Sequence, residues 1–196
     1  MRDFFASTKN YIGVDLGRAK DVDWIIPGNL LELPDDWADI SISTECFEHC
    51  ECWSEVFINM LRLTKPGGMV IVTCASTGRS THGTIDSEEG SSPFTTSYYK
   101  NLGVDDLIEK ISMGLYFNKH GFEINSKSKD LYFWGIRSDT SILESDSYWE
   151  DDSDRLARAQ GQLAQAASKN SELQALVNAQ LKETEKKDSQ LLQARA

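Results

Sequence analysis

The side chains best suited to chemistry cluster early in the chain. Asp15 ends the apolar run YIGVD, and Glu45, Glu48 and His49 follow directly on the alternating run ADISIS. Ligands of open α/β sheets sit beyond the carboxyl ends of the strands. A carboxylate placed there can accept hydrogen bonds from both hydroxyls of a ribose, which selects a nucleoside; the plainer reading of Asp15 is a strand-end acid capping a turn. Imidazole titrates near neutrality, so His49 is a candidate general base, with Glu48 beside it. The alternative is that both residues open the next helix and pack structurally. Cys46, His49, Cys50 and Cys52 (CFEHCEC) are metal-ligand types, but CxC without a distant second pair is no zinc pattern. No metal is therefore expected, and the cysteines read as structural. A second group, Arg79, His82, Phe94, Tyr98 and Tyr99, falls in a stretch rich in Ser, Thr and Gly. Residues 75–100 are long for a connection, and they read as an acceptor-binding loop or lid. His82 and His120 stand isolated in the sequence.

These residues need a frame. Short strands are expected at 11–15, at 22–26, stopped by Pro27-Gly28, and at 38–43. Residues 53–64 place Val56, Phe57, Met60 and Leu61 at helical spacing, and Lys65-Pro66-Gly67-Gly68 ends that helix. MVIVTC (69–74) is a near-continuous β-branched run, as for a strand covered on both faces. A helix over 104–119 and a strand pair at 122–126 and 131–137, expected to be antiparallel across a Lys/Ser/Asp turn, complete the set. Strands and helices alternating through short links imply a parallel α/β sheet.

Composition divides the chain. Residues 1–150 hold every Trp, Tyr and Phe, and carry 13 Lys and Arg against 24 Asp and Glu; residues 151–196 carry 7 of each. The acidic first part argues against a nucleic-acid partner, since such affinity rests on Lys and Arg neutralising phosphates. No run reaches the length of a membrane span. Four cysteines fit a reducing compartment, and no apolar signal core opens the chain, so cytoplasm is the default location. The expected domains are 1–138, an acidic linker at 139–152, and a helical tail at 153–196. Heptads counted from Leu156 give an apolar seam as far as Val177, with Asn170 at one a position. An a-position Asn specifies register and pairing in coiled coils. Self-association through 153–195 and a solvated single helix both remain open.

The order of pieces in residues 11–74 carries a resemblance. A strand ending in Asp15, then GNLLELP, then DISISTECFEH, then LRLTKPGGMVIVTCAS is similar to the second half of the nucleotide-binding core of class I S-adenosylmethionine-dependent methyltransferases. The likeness is to the type 11-like group acting on small molecules and glycans, and it covers roughly residues 1–137. It implies a Rossmann-like sheet and S-adenosyl-L-methionine as cofactor. Asp15 would hold the ribose. Asn29 and Leu30 match the adenine contact, a side-chain oxygen and the next backbone N–H; the family more often has Asp at the first of these, and Asn keeps the acceptor. Thr44 and Glu45 would line the methionine part, Glu48 and His49 the floor of the substrate pocket, and Arg79, His82, Tyr98 and Tyr99 the acceptor side.

The family also opens with a strand and a glycine-rich turn ahead of the ribose acid. Only fourteen residues precede Asp15, and MRDFFAST reads as the helix after that turn, with Phe4 and Phe5 on its buried side. A sheet without the first strand would be interrupted between the strands at 11–15 and 38–43. This suggests an internal or mis-assigned start at Met1, or a fragment. Two functions follow as expectations. One is methyl transfer to a small molecule or a glycan hydroxyl. The other is a non-catalytic, truncated methyltransferase fold that associates through its C-terminal helix. A nicotinamide dehydrogenase, which also uses an acid at this strand tip, is disfavoured by GNLLELP and TKPGG.

Overall fold

The computed structural model describes residues 2–8, 10–84 and 98–140. The expectations for Phe94, for most of the acidic linker and for the helical tail lie outside the described residues. A one-turn 3-10 helix over Arg2–Phe5 opens the chain, followed by β1 (Val14–Asp15), β2 (Trp24–Ile25) and a 3-10 turn at Gly28–Leu30. Then come β3 (Ala38–Thr44), a 3-10 turn at Phe47–His49, α1 (Trp53–Leu63), β4 (Thr64–Ala75), α2 (Val104–Lys110), α3 (Met113–Tyr116), β5 (Phe117–Ile124) and β6 (Asp130–Arg137).

The strands form two sheets. β1 and β2 pair in parallel, and a four-stranded sheet runs β3-β4-β6-β5. In the larger sheet β3 and β4 are parallel, while β6 runs antiparallel to both β4 and β5. The architecture is mixed α/β, in keeping with a Rossmann-like methyltransferase fold, and the hairpin of β5 and β6 is antiparallel as its turn residues imply. Among the described residues no ladder joins β1 to β3, so the expected interruption is present.

Burial explains the larger sheet. α1 turns Phe57, Leu61 and Val56 inward against Val70, Val72 and Cys74 of β4 and Leu131 and Phe133 of β6, with Leu107 and Tyr116 extending the same core. Phe57 and Phe133 meet edge to face with ring centroids 5.3 Å apart, a favoured aromatic geometry. Gly135 on β6 is required by this packing: a Cβ there would lie 2.4 Å from the Phe117 ring.

Several expectations change in detail. β4 is covered fully on one face only. Ile42, Ile71 and Trp134 lie side by side across three strands on the other face, where Ile40 is 45% and Trp134 38% exposed. The helix expected over 104–119 is two short helices, because Phe117 to His120 join β5, where Phe117 is buried among Phe57 and Phe133. α1 ends at Leu63, where Thr64 takes up extended backbone and pairs with Ala38. Within that turn Gly67 has φ +77, a conformation that costs glycine little. Arg137 at the end of β6 bonds to the Asp36 carboxylate and the Thr64 carbonyl, tying three segments together.

Candidate functional site

The candidate site lies at the carboxyl ends of β1, β3 and β4. Asp15 is exposed at the tip of β1, and its Oδ1 accepts the Gly17 N–H at 3.1 Å. That bond is the turn-capping role, and it involves one of the two carboxylate oxygens. Desolvation, then the carboxylates of Glu48 and Asp15, push the Cys46 thiol up to about 12. Cys46 as a residue is exposed, and Asp15 is one of the charges that act on its thiol.

The GNL turn is held by α1 through polar groups that the helical spacing alone did not expose as important. Asn59 donates to the carbonyls of Gly28 at 2.8 Å and Leu31 at 3.1 Å. Arg62 donates to the carbonyls of Leu31 and Leu33 and to Asp35. Glu55 accepts from Asn29 Nδ2 at 2.8 Å. Glu55, Asn59 and Arg62 recur at helical spacing, so they form one polar stripe facing the turn. Its signal in the sequence is those polar residues recurring at helical spacing along an otherwise apolar helix.

This docking changes the expected adenine contact. Asn29 is 3% exposed and its amide nitrogen is directed at α1. The Leu30 N–H donates to the Pro27 carbonyl at 2.9 Å, inside the 3-10 turn, so it is already engaged. A purine edge would have to share or displace that bond.

Thr44 and Glu45 are exposed at the end of β3. Glu45 has φ +48, an uncommon conformation for a non-glycine residue. Its N–H donates to the Thr73 carbonyl at 2.8 Å and its Oε1 accepts from Thr73 Oγ1 at 2.9 Å, so β4 holds both its backbone and its side chain. Glu48 is fully buried, with Oε1 accepting the Ala75 N–H at 3.1 Å. Its backbone carbonyl accepts the Lys100 N–H at 2.9 Å, which brings the 98–101 segment against the turn. Burial is the main cause that raises the Glu48 carboxyl to about 7, and Glu45 adds to it. Burial, then His82, lowers His49 to about 4.

His82 is not isolated. Its ring centroid lies 5.0 Å from His49 and 5.0 Å from Tyr99, and His49 lies 5.4 Å from Tyr99. One ligand-type atom each from Glu48, His49 and His82 lie within 4.8 Å of one another. The structure thus gathers Glu48, His49, His82 and Tyr99. It places Arg79 elsewhere in role: Nη1 donates to Asp130 at 2.9 Å and to the Ser128 carbonyl at 2.7 Å, so the guanidinium fastens the β5–β6 turn. Tyr98, whose hydroxyl is raised chiefly by burial, is half-buried. Cys50 and Cys52 are free thiols with sulfurs 3.2 Å apart.

Residues 6–72, about a third of the chain, match the model of the methyltransferase domain family. No curated protein matches the chain. One similar solved structure is a 1,6-didemethyltoxoflavin-N1-methyltransferase of Burkholderia thailandensis, with 1,6-didemethyltoxoflavin and S-adenosylhomocysteine bound. It is 12% identical, with 70% of this chain and 66% of that chain covered and a TM-score of 0.48. Another is an O-methyltransferase family protein of the same organism, 15% identical, with 53% and 31% covered and a TM-score of 0.33. The chain therefore spans less than two thirds of the length of either. No helix among the described residues is long and apolar enough to cross a membrane. Residues 6–72 are thus similar in sequence to methyltransferase domains, and they lie in a mixed α/β arrangement.

Proposed function

We propose that this chain serves S-adenosylmethionine-dependent methyl transfer to a hydroxyl of a small molecule or glycan. The observation that carries the reading is the match of residues 6–72 to the methyltransferase domain family, with Asp15 at the exposed tip of β1 and Thr44 and Glu45 exposed at the end of β3. On the ribose and methionine sides, Asp15 is exposed at the tip of β1 and Thr44 and Glu45 at the end of β3, where they would be open to the cofactor. The adenine side fits only through rearrangement of the Leu30 N–H.

The cofactor, when bound, supplies a methyl group already activated on a sulfonium, so positioning and an in-line approach supply much of the rate. The chain's own residues would do the rest. Asp15 would accept from the ribose hydroxyls. Thr44 and Glu45, braced by Thr73, would line the methionine part. His49 stays neutral at pH 7 because burial and His82 disfavour its cation. A neutral imidazole can accept a proton from an acceptor hydroxyl, with Glu48 beside it. Tyr99 and His82 would bound the acceptor side.

Calorimetric titration with S-adenosylhomocysteine tests this. Micromolar binding that Asp15→Ala abolishes supports the reading. Absence of binding in a folded chain overturns it for this polypeptide. That result would favour a non-catalytic methyltransferase-fold protein that associates through residues 153–195. Sedimentation of the chain truncated after residue 140 would then report whether self-association is lost.

A further inference from the structure

We infer that Glu48, His49 and His82 form a binding site for a divalent cation of the zinc class. The three side chains come from the turn after β3 and from the segment after β4, and their ligand-type atoms lie within 4.8 Å of one another. Donors bonded to one ion at about 2.0–2.2 Å sit about 3–4 Å apart. The existing arrangement is therefore slightly open, and the donor atoms would draw together by about 1 Å to hold one ion.

Two further observations point to a cation. Glu48 is fully buried, and its Oε2 has no hydrogen-bond partner among the described residues. A buried carboxylate oxygen without a partner is costly, and a cation is one of the few groups that satisfies it. His82 Nδ1 lies 3.0 Å from the Ser80 carbonyl. A carbonyl only accepts, so Nδ1 carries the proton and the Nε2 lone pair is left for a ligand. Fixing one imidazole nitrogen by a backbone carbonyl is the usual support for a metal-binding histidine. Tyr99 packs edge-on against both imidazoles and holds their planes.

Two imidazoles and one carboxylate suit zinc, cobalt or ferrous iron better than magnesium or calcium, which favour all-oxygen sets. Three protein ligands also leave a coordination position open for water or another oxygen ligand. The inference goes beyond methyl transfer and does not require it; an ion held here would occupy the His49 lone pair, so His49 would serve as proton acceptor only in the metal-free protein.

The probe is Co2+, a spectroscopic stand-in for zinc, added to metal-stripped protein at neutral pH. One equivalent should bind, with visible bands of nitrogen and oxygen ligands and without thiolate charge transfer. Affinity should fall at least about tenfold, ~1.4 kcal/mol, in Glu48→Gln and in His82→Ala. It should persist in the Cys50→Ser, Cys52→Ser double variant and in Asp15→Ala, so failure here and failure of cofactor binding are separable. No binding of Co2+ or Zn2+ below millimolar concentration by folded protein overturns the site. So does binding unchanged in both ligand variants, or binding that disappears with the cysteines. Circular dichroism checks folding; if Glu48→Gln does not fold, the partly exposed His82→Ala decides.

Discussion

Oε1 of Glu48 accepts the backbone N–H of Ala75 at 3.1 Å, joining the turn after β3 to the last residue of β4. The bond holds a carboxyl that burial raises from 4.5 to about 7, while neighbouring His49 is lowered from 6.5 to about 4. The two have opposite consequences for stability. A group whose pKa is raised on folding stabilises fully below its unfolded value and loses that contribution as pH rises through its folded value. Glu48 therefore favours the fold below about 4.5 and loses this up to about 7. His49 contributes fully above about 6.5 and loses it as pH falls toward 4. Glu45 adds to the rise of Glu48 while His82 opposes it, and His82 adds to the fall of His49. Between pH 4.5 and 6.5 the slopes oppose and stability of the metal-stripped protein should be nearly flat. In Glu48→Gln it should rise with pH across that window, by up to about 1.4 kcal/mol per unit. Urea unfolding at stepped pH measures the difference; parallel profiles would contradict it.

Asn59 satisfies the carbonyls of Gly28 and Leu31 from α1. Asn59→Ala removes both donors from a nearly buried position. A loss of about 1–3 kcal/mol is expected, the range for a buried polar group left unsatisfied. Because the same bonds set the Asn29–Leu30 turn, S-adenosylhomocysteine affinity should weaken as well. Urea midpoints and calorimetry on one preparation separate the two effects.

Gly135 lies under the Phe117 ring with no space for a side chain. Gly135→Ala should destabilise by about 1–3 kcal/mol through overpacking. Gly67→Ala differs: a Cβ meets nothing within 4 Å, and the cost comes from φ +77. Thermal denaturation of both variants distinguishes a packing cost from a backbone cost, since only the first should be relieved by Phe117→Leu.

Arg79 pairs with Asp130 and the Ser128 carbonyl. Arg79→Ala should lower stability by roughly 1–3 kcal/mol, as for a hydrogen bond to a charged group lost from a partly buried place. A substrate contact would instead raise KM for the acceptor in a folded, equally stable protein. Denaturant midpoints for Arg79→Ala and Arg79→Lys decide between a tether and a binding group.

Legibility in the sequence followed the physics of each segment. α1 and β4 were plain, because Val56, Phe57, Met60 and Leu61 repeat at helical spacing and Val70 to Thr73 are all β-branched. The 104–119 stretch misled, since Leu115, Tyr116 and Phe117 satisfy either period, and pairing of Phe117 with Arg137 decided for a strand. The Glu48–His49 pair was visible as chemistry. His82 was visible as an acceptor-side residue but not as a neighbour of His49, because it lies 33 positions further along, and only the return of the 79–82 segment to Ser76 and Asn101 brings it close. Asn29 was read in the sequence as an adenine contact; in the fold its amide nitrogen donates to Glu55, and nothing local signals a partner 26 residues away.

The position of β6 has a consequence for how the chain is made. It is the last strand of the described sheet to leave the ribosome, yet it sits between β4 and β5. Until residues 130–137 emerge, β4 has no neighbour on that side and Val70, Val72 and Cys74 lack Leu131 and Phe133. Pairings that wait on distant sequence form slowly and leave nascent edges open to wrong partners. A stall in translation before residue 130 should therefore be far more hazardous for this polypeptide than one after residue 137.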